Sequence, residues 1–161
     1  IRDDVESRGL GDVYKRLDLE QRGIKLNYSN LVSPDTVVIA DPEQMKKVIN
    51  NIISNSVKYM DKPDGHIDIR ILDEVDSIRV EIEDNGKGIA QKDLQKIFER
   101  FYRTDASRNS AQGGSGIGLS IVKKIVEDHG GYVWATAKEG EGTCMHFVLR
   151  KYIELQPGGT K

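Results

Sequence analysis

The chain has 161 residues, 37% of them hydrophobic and 31% charged, with a formal net charge of −2. That length supports one domain around one sizeable core, and a near-neutral balance without a long Lys/Arg block argues against a nucleic-acid-binding surface. No apolar run approaches the roughly 18 residues of a membrane span, so no direct membrane insertion of this piece is expected. The single cysteine, Cys144, rules out an internal disulfide and a cysteine metal cluster. It reads as a small buried strand residue and favours a reducing, cytoplasmic compartment.

Residues 1–9 are charged and aperiodic, as in a connector or frayed end, and an opening at Ile1 without a signal-peptide pattern suits a fragment or processed product. Leu10, Val13, Tyr14 and Leu17 then recur at helical spacing, and Gly23 stands where a helix would stop. IKLNY and TVVIA read as short strands on either side of Ser33-Pro34-Asp35. At Asp41 a helix should begin: Asp41 can cap it, Pro42 suits its first position, and Gln44 is placed to close a capping box. Met45, Val48, Ile49, Ile52, Ile53 and Val57 form its apolar stripe. Asn51 and Asn55 lie one turn apart on a polar edge beside the stripe, with Lys58 three residues on.

HIDIRIL and SIRVEIE alternate as two half-buried antiparallel strands joined by residues 73–76, the second running into Asp84. Beyond Gly86 and Gly88, the spacing of Leu94, Ile97, Phe98 and Phe101 predicts a short helix. Residues 105–112, DASRNSAQ, are small and polar and read as a mobile lid. Gly118 to His129 is a further helix, with Leu119, Ile121, Val122, Ile125 and Val126 on its apolar face and Gly130-Gly131 ending it. YVWATA and TCMHFVLR pair across residues 138–142, and residues 154–161 form a disordered tail. The sum is an α+β two-layer sandwich over residues 10–153: a mostly antiparallel sheet covered on one face by about three helices, with the lid between two glycine loops.

Those loops carry the chemistry. Asp84 ends a strand, where its carboxylate can accept from an exocyclic amine such as that of adenine, while Gly86 and Gly88 leave room for a flat ring against the main chain. Asp-Asn-Gly is also a hairpin signal, but the sequence after Gly88 turns helical. Gly114-Ser115-Gly116-Ile117-Gly118 precedes a helix and offers free N–H groups and the positive dipole end to a phosphate, although glycine before a helix is often only packing. No glycine here is followed by Lys-Ser or Lys-Thr, which excludes a Walker loop, and G-x-G-x-G spacing is a poor dinucleotide fingerprint. Asn51 and Asn55 read in isolation as simple polar residues. Beside phosphate loops an amide oxygen becomes a ligand for Mg²⁺, with Lys58 and Arg103 to balance phosphate charge.

NNIISNSVKY, DNGKGI, FERFYR and GGSGIGLSIV, in this order and spacing, resemble the N box, first glycine box, F box and second glycine box of the ATP-binding catalytic domain of sensor histidine kinases, over roughly residues 17–150. The resemblance implies ATP and Mg²⁺ as cofactors, Asn55 as the metal ligand, Asp84 on the adenine amine, and Asn51, Lys58 and Arg103 as the catalytic set. Tyr59, Gly86, Gly88, Ile89, Phe101, Tyr102, the run Gly114, Ser115, Gly116, Ile117, Gly118 and Leu119, and Thr143 would complete the ATP pocket. It further implies phosphoryl transfer to a histidine on a helical dimerisation domain and a response regulator downstream. It leaves room for a membrane-anchored parent protein.

The family's helical hairpin, with a histidine followed by an acidic residue, is missing: His66, His129 and His146 precede Ile, Gly and Phe and read as a strand edge, a helix C-terminus and a strand position. The phosphoacceptor is then expected elsewhere in the parent protein or in another chain. Related ATPases of gyrase, mismatch-repair and chaperone type place a Glu where this chain has Asn51, as do the anti-sigma Ser/Thr kinases, which form the alternative kinase reading. A nucleotide-gated binding module without catalysis is the reading from outside enzymes.

Overall fold

The computed structural model describes residues 19–103 and 118–153. The expected helix over residues 10–17, the connector, the lid, Gly114 to Ile117 and the tail lie outside the described residues. A five-stranded sheet has the order β1-β2-β3-β5-β4, from β1 (Lys25–Asn30), β2 (His66–Asp73), β3 (Ser77–Asp84), β4 (Tyr132–Lys138) and β5 (Gly142–Arg150). Among the described residues, only β1 and β2 pair in parallel; the other three pairings are antiparallel. That parallel step follows from the chain between them, because helix α1 (Pro42–Lys58) is the crossover a parallel pair requires. Helix α2 (Gly118–Asp128) makes the corresponding excursion between β3 and β4.

Helix α1 starts where the sequence places it. Asp41 is extended, and its Oδ1 accepts from the N–H groups of Glu43 at 2.9 Å and Gln44 at 3.4 Å, with Pro42 in the first turn. The capping box closes differently from expectation: the Asp41 N–H donates to His129 Nε2 at 3.1 Å rather than to Gln44. A ring held from the end of α2, its Nδ1 2.7 Å from the Ile125 carbonyl oxygen, has taken the place of a flexible local amide. The imidazole thereby joins the start of α1 to the end of α2.

Alternation in the strands aims Ile67, Ile78, Val80, Ile82, Met145, Phe147 and Leu149 at the helices, where they meet Val48, Ile52, Val122 and Val126 in one core. Phe147 is the largest of the fully buried side chains. Truncating it to Ala should cost about 3–5 kcal/mol.

Three expectations are corrected. TVVIA is not a strand: only Val38 bridges to Lys151, and Val37 and Ile39 are exposed. Both edges of β5 are already taken by β3 and β4, so the segment meets the sheet only past the end of β5. The short helix over Leu94–Phe101 is instead a succession of turns, with Asp93 N–H to Ala90, Lys96 N–H to Asp93 and Glu99 N–H to Lys96. Its stripe is incomplete, since Ile97 and Phe98 are buried but Phe101 is exposed. On α2, Ile121 faces outward while Val122, Ile125 and Val126 carry the packing.

The other sheet face carries charge. Glu81 lies 3.2 Å from Arg70 Nε and 3.7 Å from Arg79 Nε. His146 sits between Glu81 and Thr136, with Nδ1 2.9 Å from Glu81 Oε2 but off the line of an ideal hydrogen bond, and Nε2 2.8 Å from Thr136 Oγ1. Trp134 stacks on the imidazole at 4.8 Å and 3°. Burial pushes the adjacent Cys144 thiol up to about 12, aided by the charges of Glu81 and Glu83, so it stays protonated and inert at neutral pH.

Candidate nucleotide site

Asp84 is the last residue of β3, on the helix side of the sheet, opposite Thr143 of β5. Its Oδ1 accepts from the Gly86 N–H at 2.9 Å. Ser56 of α1 and Thr143 of β5 lie beside this carboxylate. Burial raises the Asp84 carboxyl above its ordinary value, and the Gly86, Ser56 and Thr143 hydrogen bonds oppose that rise.

Around this group the backbone is close-packed. The β4–β5 hairpin presses on the loop after Asp84: Gly140 N–H donates to the Lys87 carbonyl oxygen at 2.6 Å, and Gln91 Nε2 to that of Ala137 at 2.9 Å. Gly88 has φ +74°, and a Cβ there would lie 2.1 Å from the Lys138 carbonyl oxygen. Gly142 has φ +140°, and its Cβ would lie 2.0 Å from the Asp84 carbonyl oxygen. Neither position admits a side chain without moving main chain. From α1, the Tyr59 carbonyl accepts the Lys87 N–H at 3.1 Å, and Lys62 Nζ reaches the Gly86 carbonyl oxygen at 3.2 Å. Two strand ends and one helix end thus hold Asp84 and the Gly86–Gly88 loop in place.

The remaining positions fall as follows. Asn51 and Asn55 are half-buried and one turn apart on α1, a fit to one or two protein oxygens on a hydrated Mg²⁺. Lys58 ends α1 with its ammonium 5.2 Å from the centre of the Tyr59 ring. Ile89 packs at the core edge, and Leu119 does so in the first turn of α2, behind Gly118. Thr143 is buried on the strand beside Asp84. Phe101 is 62% exposed with φ +66°, its ring beneath the Arg100 guanidinium, while the Tyr102 hydroxyl donates to the Asp93 carboxylate. Tyr102 therefore has a structural partner, and Arg103 follows it half-buried.

Sequence reasoning passed over Ser56, Asn85 and Gly142. Ser56 could have been found, because it follows Ile52 and Ile53 at helical spacing and is a polar residue within an apolar stripe. Asn85 accepts from the His66 N–H at 2.8 Å and donates to the Asp64 carbonyl at 3.2 Å, fixing the loop from below.

Residues 40–153 match the family model described as histidine kinase-, DNA gyrase B- and HSP90-like ATPase, and the chain belongs to that family. Within it, the chain is of the sensor-histidine-kinase type: it is 41% identical over 122 residues to the sensor histidine kinase WalK of Bacillus subtilis (strain 168). That match covers 74% of this chain and 20% of WalK, so the chain spans about a fifth of that relative. Among solved structures, the catalytic domain of histidine kinase ThkA in a nucleotide-free form is 28% identical with a TM-score of 0.73, covering 87% of each chain. The mycobacterial sensor histidine kinase MprB is 26% identical with a TM-score of 0.75, covering 91% of this chain and 95% of that one. ThkA has also been solved in complex with the response regulator protein TrrA. Among the described residues, no helix is long and apolar enough to cross a membrane.

Proposed function

We propose that residues 10–153 bind ATP with Mg²⁺ and transfer its γ-phosphoryl group to a histidine on a separate helical dimerisation domain, from which a response regulator is served. The observation that carries this reading is Asp84: a half-buried carboxylate at a strand end, held by the Gly86 N–H and set on the helix side of the sheet. Such a group accepts from an adenine amine. The glycine contacts around it leave main chain rather than side chains to face a flat ring.

Asn55 would hold Mg²⁺, with Asn51 beside it, and Lys58 and Arg103 would meet phosphate charge. The metal would neutralise charge on the transferring group. Asn51 cannot act as a base toward water, so hydrolysis should be slow. A docked histidine brings its own nucleophile and needs only positioning and charge stabilisation.

The test mixes the chain with labelled ATP, Mg²⁺ and a separate histidine-bearing helical hairpin. Acid-labile phosphate on the hairpin, with little turnover by the chain alone, is the expected result. Brisk hydrolysis alone, or a stable phosphohistidine on His66, His129 or His146, would move the protein to the hydrolase branch. Asn55→Ala should abolish transfer while leaving metal-free nucleotide binding largely intact, which titrations with and without chelator would separate.

A further inference from the structure

We infer that Glu81, Cys144 and His146, on the outer sheet face away from the nucleotide loops, form a binding site for a structural Zn²⁺ ion. The strand register brings the three together. Glu81 of β3 lies opposite His146 of β5, and Cys144 is two residues from His146 on the same face of that strand. Their candidate ligand atoms, a carboxylate oxygen, Sγ and a ring nitrogen, all lie within 4.8 Å of one another. Zinc bonds of roughly 2.0–2.3 Å to such ligands set them about 3.3–3.6 Å apart in a tetrahedral site, so small side-chain shifts close them on an ion.

The state of the imidazole points to a cation. His146 is 8% exposed, and its buried Nδ1 makes no hydrogen bond, although Glu81 Oε2 is only 2.9 Å away. Thr136 Oγ1 holds the other nitrogen at 2.8 Å, and Trp134, stacked on the ring, fixes its plane. With the proton on Nε2, the Nδ1 lone pair faces a carboxylate oxygen, acceptor against acceptor. With the proton on Nδ1, the N–H points off the line to that oxygen. A metal ion ligated by Nδ1 and Oε2 satisfies both atoms at once. Thr136 is then the partner that orients a metal-bound histidine, and Arg70 Nε, 3.2 Å from Oε1, orients the carboxylate while leaving Oε2 to the ion.

The ligand set selects the metal. Thiolate, imidazole and carboxylate suit Zn²⁺, whereas Mg²⁺ takes oxygens in octahedral geometry. On ligation the Cys144 proton leaves to solvent, and thiolate and carboxylate together balance the charge of the ion. A water supplies the fourth ligand. Arg79 competes with the ion: its Nε lies 3.7 Å from the same Oε2 and must yield that oxygen, keeping Glu74 at 3.3 Å. Because the ligands come from β3 and β5, the ion braces the pairing that also sets Asp84 opposite Thr143.

The experiment titrates the nucleotide-free chain with Zn²⁺, and separately with Co²⁺ as a spectroscopic substitute, in excess Mg²⁺ to occupy all-oxygen sites. The melting temperature should rise with zinc concentration, and cobalt should give a thiolate charge-transfer band with tetrahedral d–d bands. Cys144→Ser should abolish the charge-transfer band, and Cys144→Ser and His146→Gln should each weaken zinc at least about tenfold. Thr136→Val, which removes only the orienting partner, should weaken it about tenfold, and Arg79→Met, which removes the competing cation, should tighten it. His66→Gln should leave zinc affinity unchanged, because the exposed His66–Asp68 pair at 3.9 Å is not the site. No thiolate band in the unmutated chain would overturn the proposal, whether or not the variants fold. Zinc affinity within about twofold of the original in both Cys144→Ser and His146→Gln would overturn it as well.

Discussion

Two carboxylates three residues apart on β3 point to opposite faces of the sheet and have opposite surroundings. Glu81, on the outer face, lies among Arg70, Arg79 and His146, so its charge is met within the protein. Asp84, on the helix side, has neutral surroundings: the Gly86 N–H on its Oδ1, with Ser56 and Thr143 beside it. Neutral donors fix direction without cancelling charge. A carboxylate held that way remains available to a ligand, whereas one enclosed by guanidiniums is part of the scaffold.

The contrast breaks most sharply at Asp84. Asp84→Asn loses a charge-assisted hydrogen bond of about 1.5–3 kcal/mol to the base and presents an amide that must turn its oxygen inward. ATP affinity should drop about ten- to hundredfold and the preference over GTP should shrink. Calorimetry with both nucleotides checks this, and equal affinities in the unmutated chain would remove Asp84 from the site.

A change next to Asp84 tests whether its backbone must be held. In Gly142→Ala the new Cβ would strike the Asp84 carbonyl oxygen in a region of φ that side chains rarely adopt, so stability should fall by about 1–3 kcal/mol. ATP binding should weaken with it. Denaturant unfolding and titration together decide whether the two losses are linked.

Changes on the outer face should leave nucleotide alone. Glu81→Gln strips Arg70, Arg79 and His146 of their shared anion, but the guanidiniums are about a third exposed and solvent screens them, so the expected cost is about 1 kcal/mol. A fall in ATP affinity beyond about twofold would contradict the division between faces.

The smallest effect is the acid sensitivity that His146 adds. Burial lowers its pKa, outweighing the opposing pull of Glu81, so the folded state disfavours the imidazolium. For a base depressed on folding, the stability is present above the unfolded value, about 6.5, and is lost as pH falls through the folded one. His146→Gln should flatten the decline in melting temperature between about pH 7 and 5. An unchanged slope would show that His146 titrates alike in both states.

Local signals made much of this legible. Asp41-Pro42 specifies a helix start from a few neighbouring residues, alternation specifies β2 and β3, and two strand-forming runs across a short glycine-bearing loop specify β4 and β5. TVVIA failed because β propensity does not say whether a strand edge is free to receive the segment, and here both edges of β5 are occupied. The Gln44 capping box failed likewise, since His129 arrives from far along the chain. Asp84 and the glycines stand out because their chemistry is unusual for a strand end. Ser56 does not, because a serine takes on meaning only when folding brings a carboxylate to it.

The pairing of β3 with β5 has a kinetic consequence. The β2–β3 and β4–β5 hairpins are local and can close early, but β3 meets β5 only after the intervening chain, α2 included, has been looped out, which is the slow kind of contact. Asp84 and Thr143 face each other across that pairing. On the proposed reading, the adenine acceptor comes into existence only with this long-range closure, and species with only the hairpins formed would offer the base nothing to bind. In pulsed hydrogen exchange during refolding, the Thr143 amide should gain protection after the amides within either hairpin; protection gained at the same time would place this closure early instead.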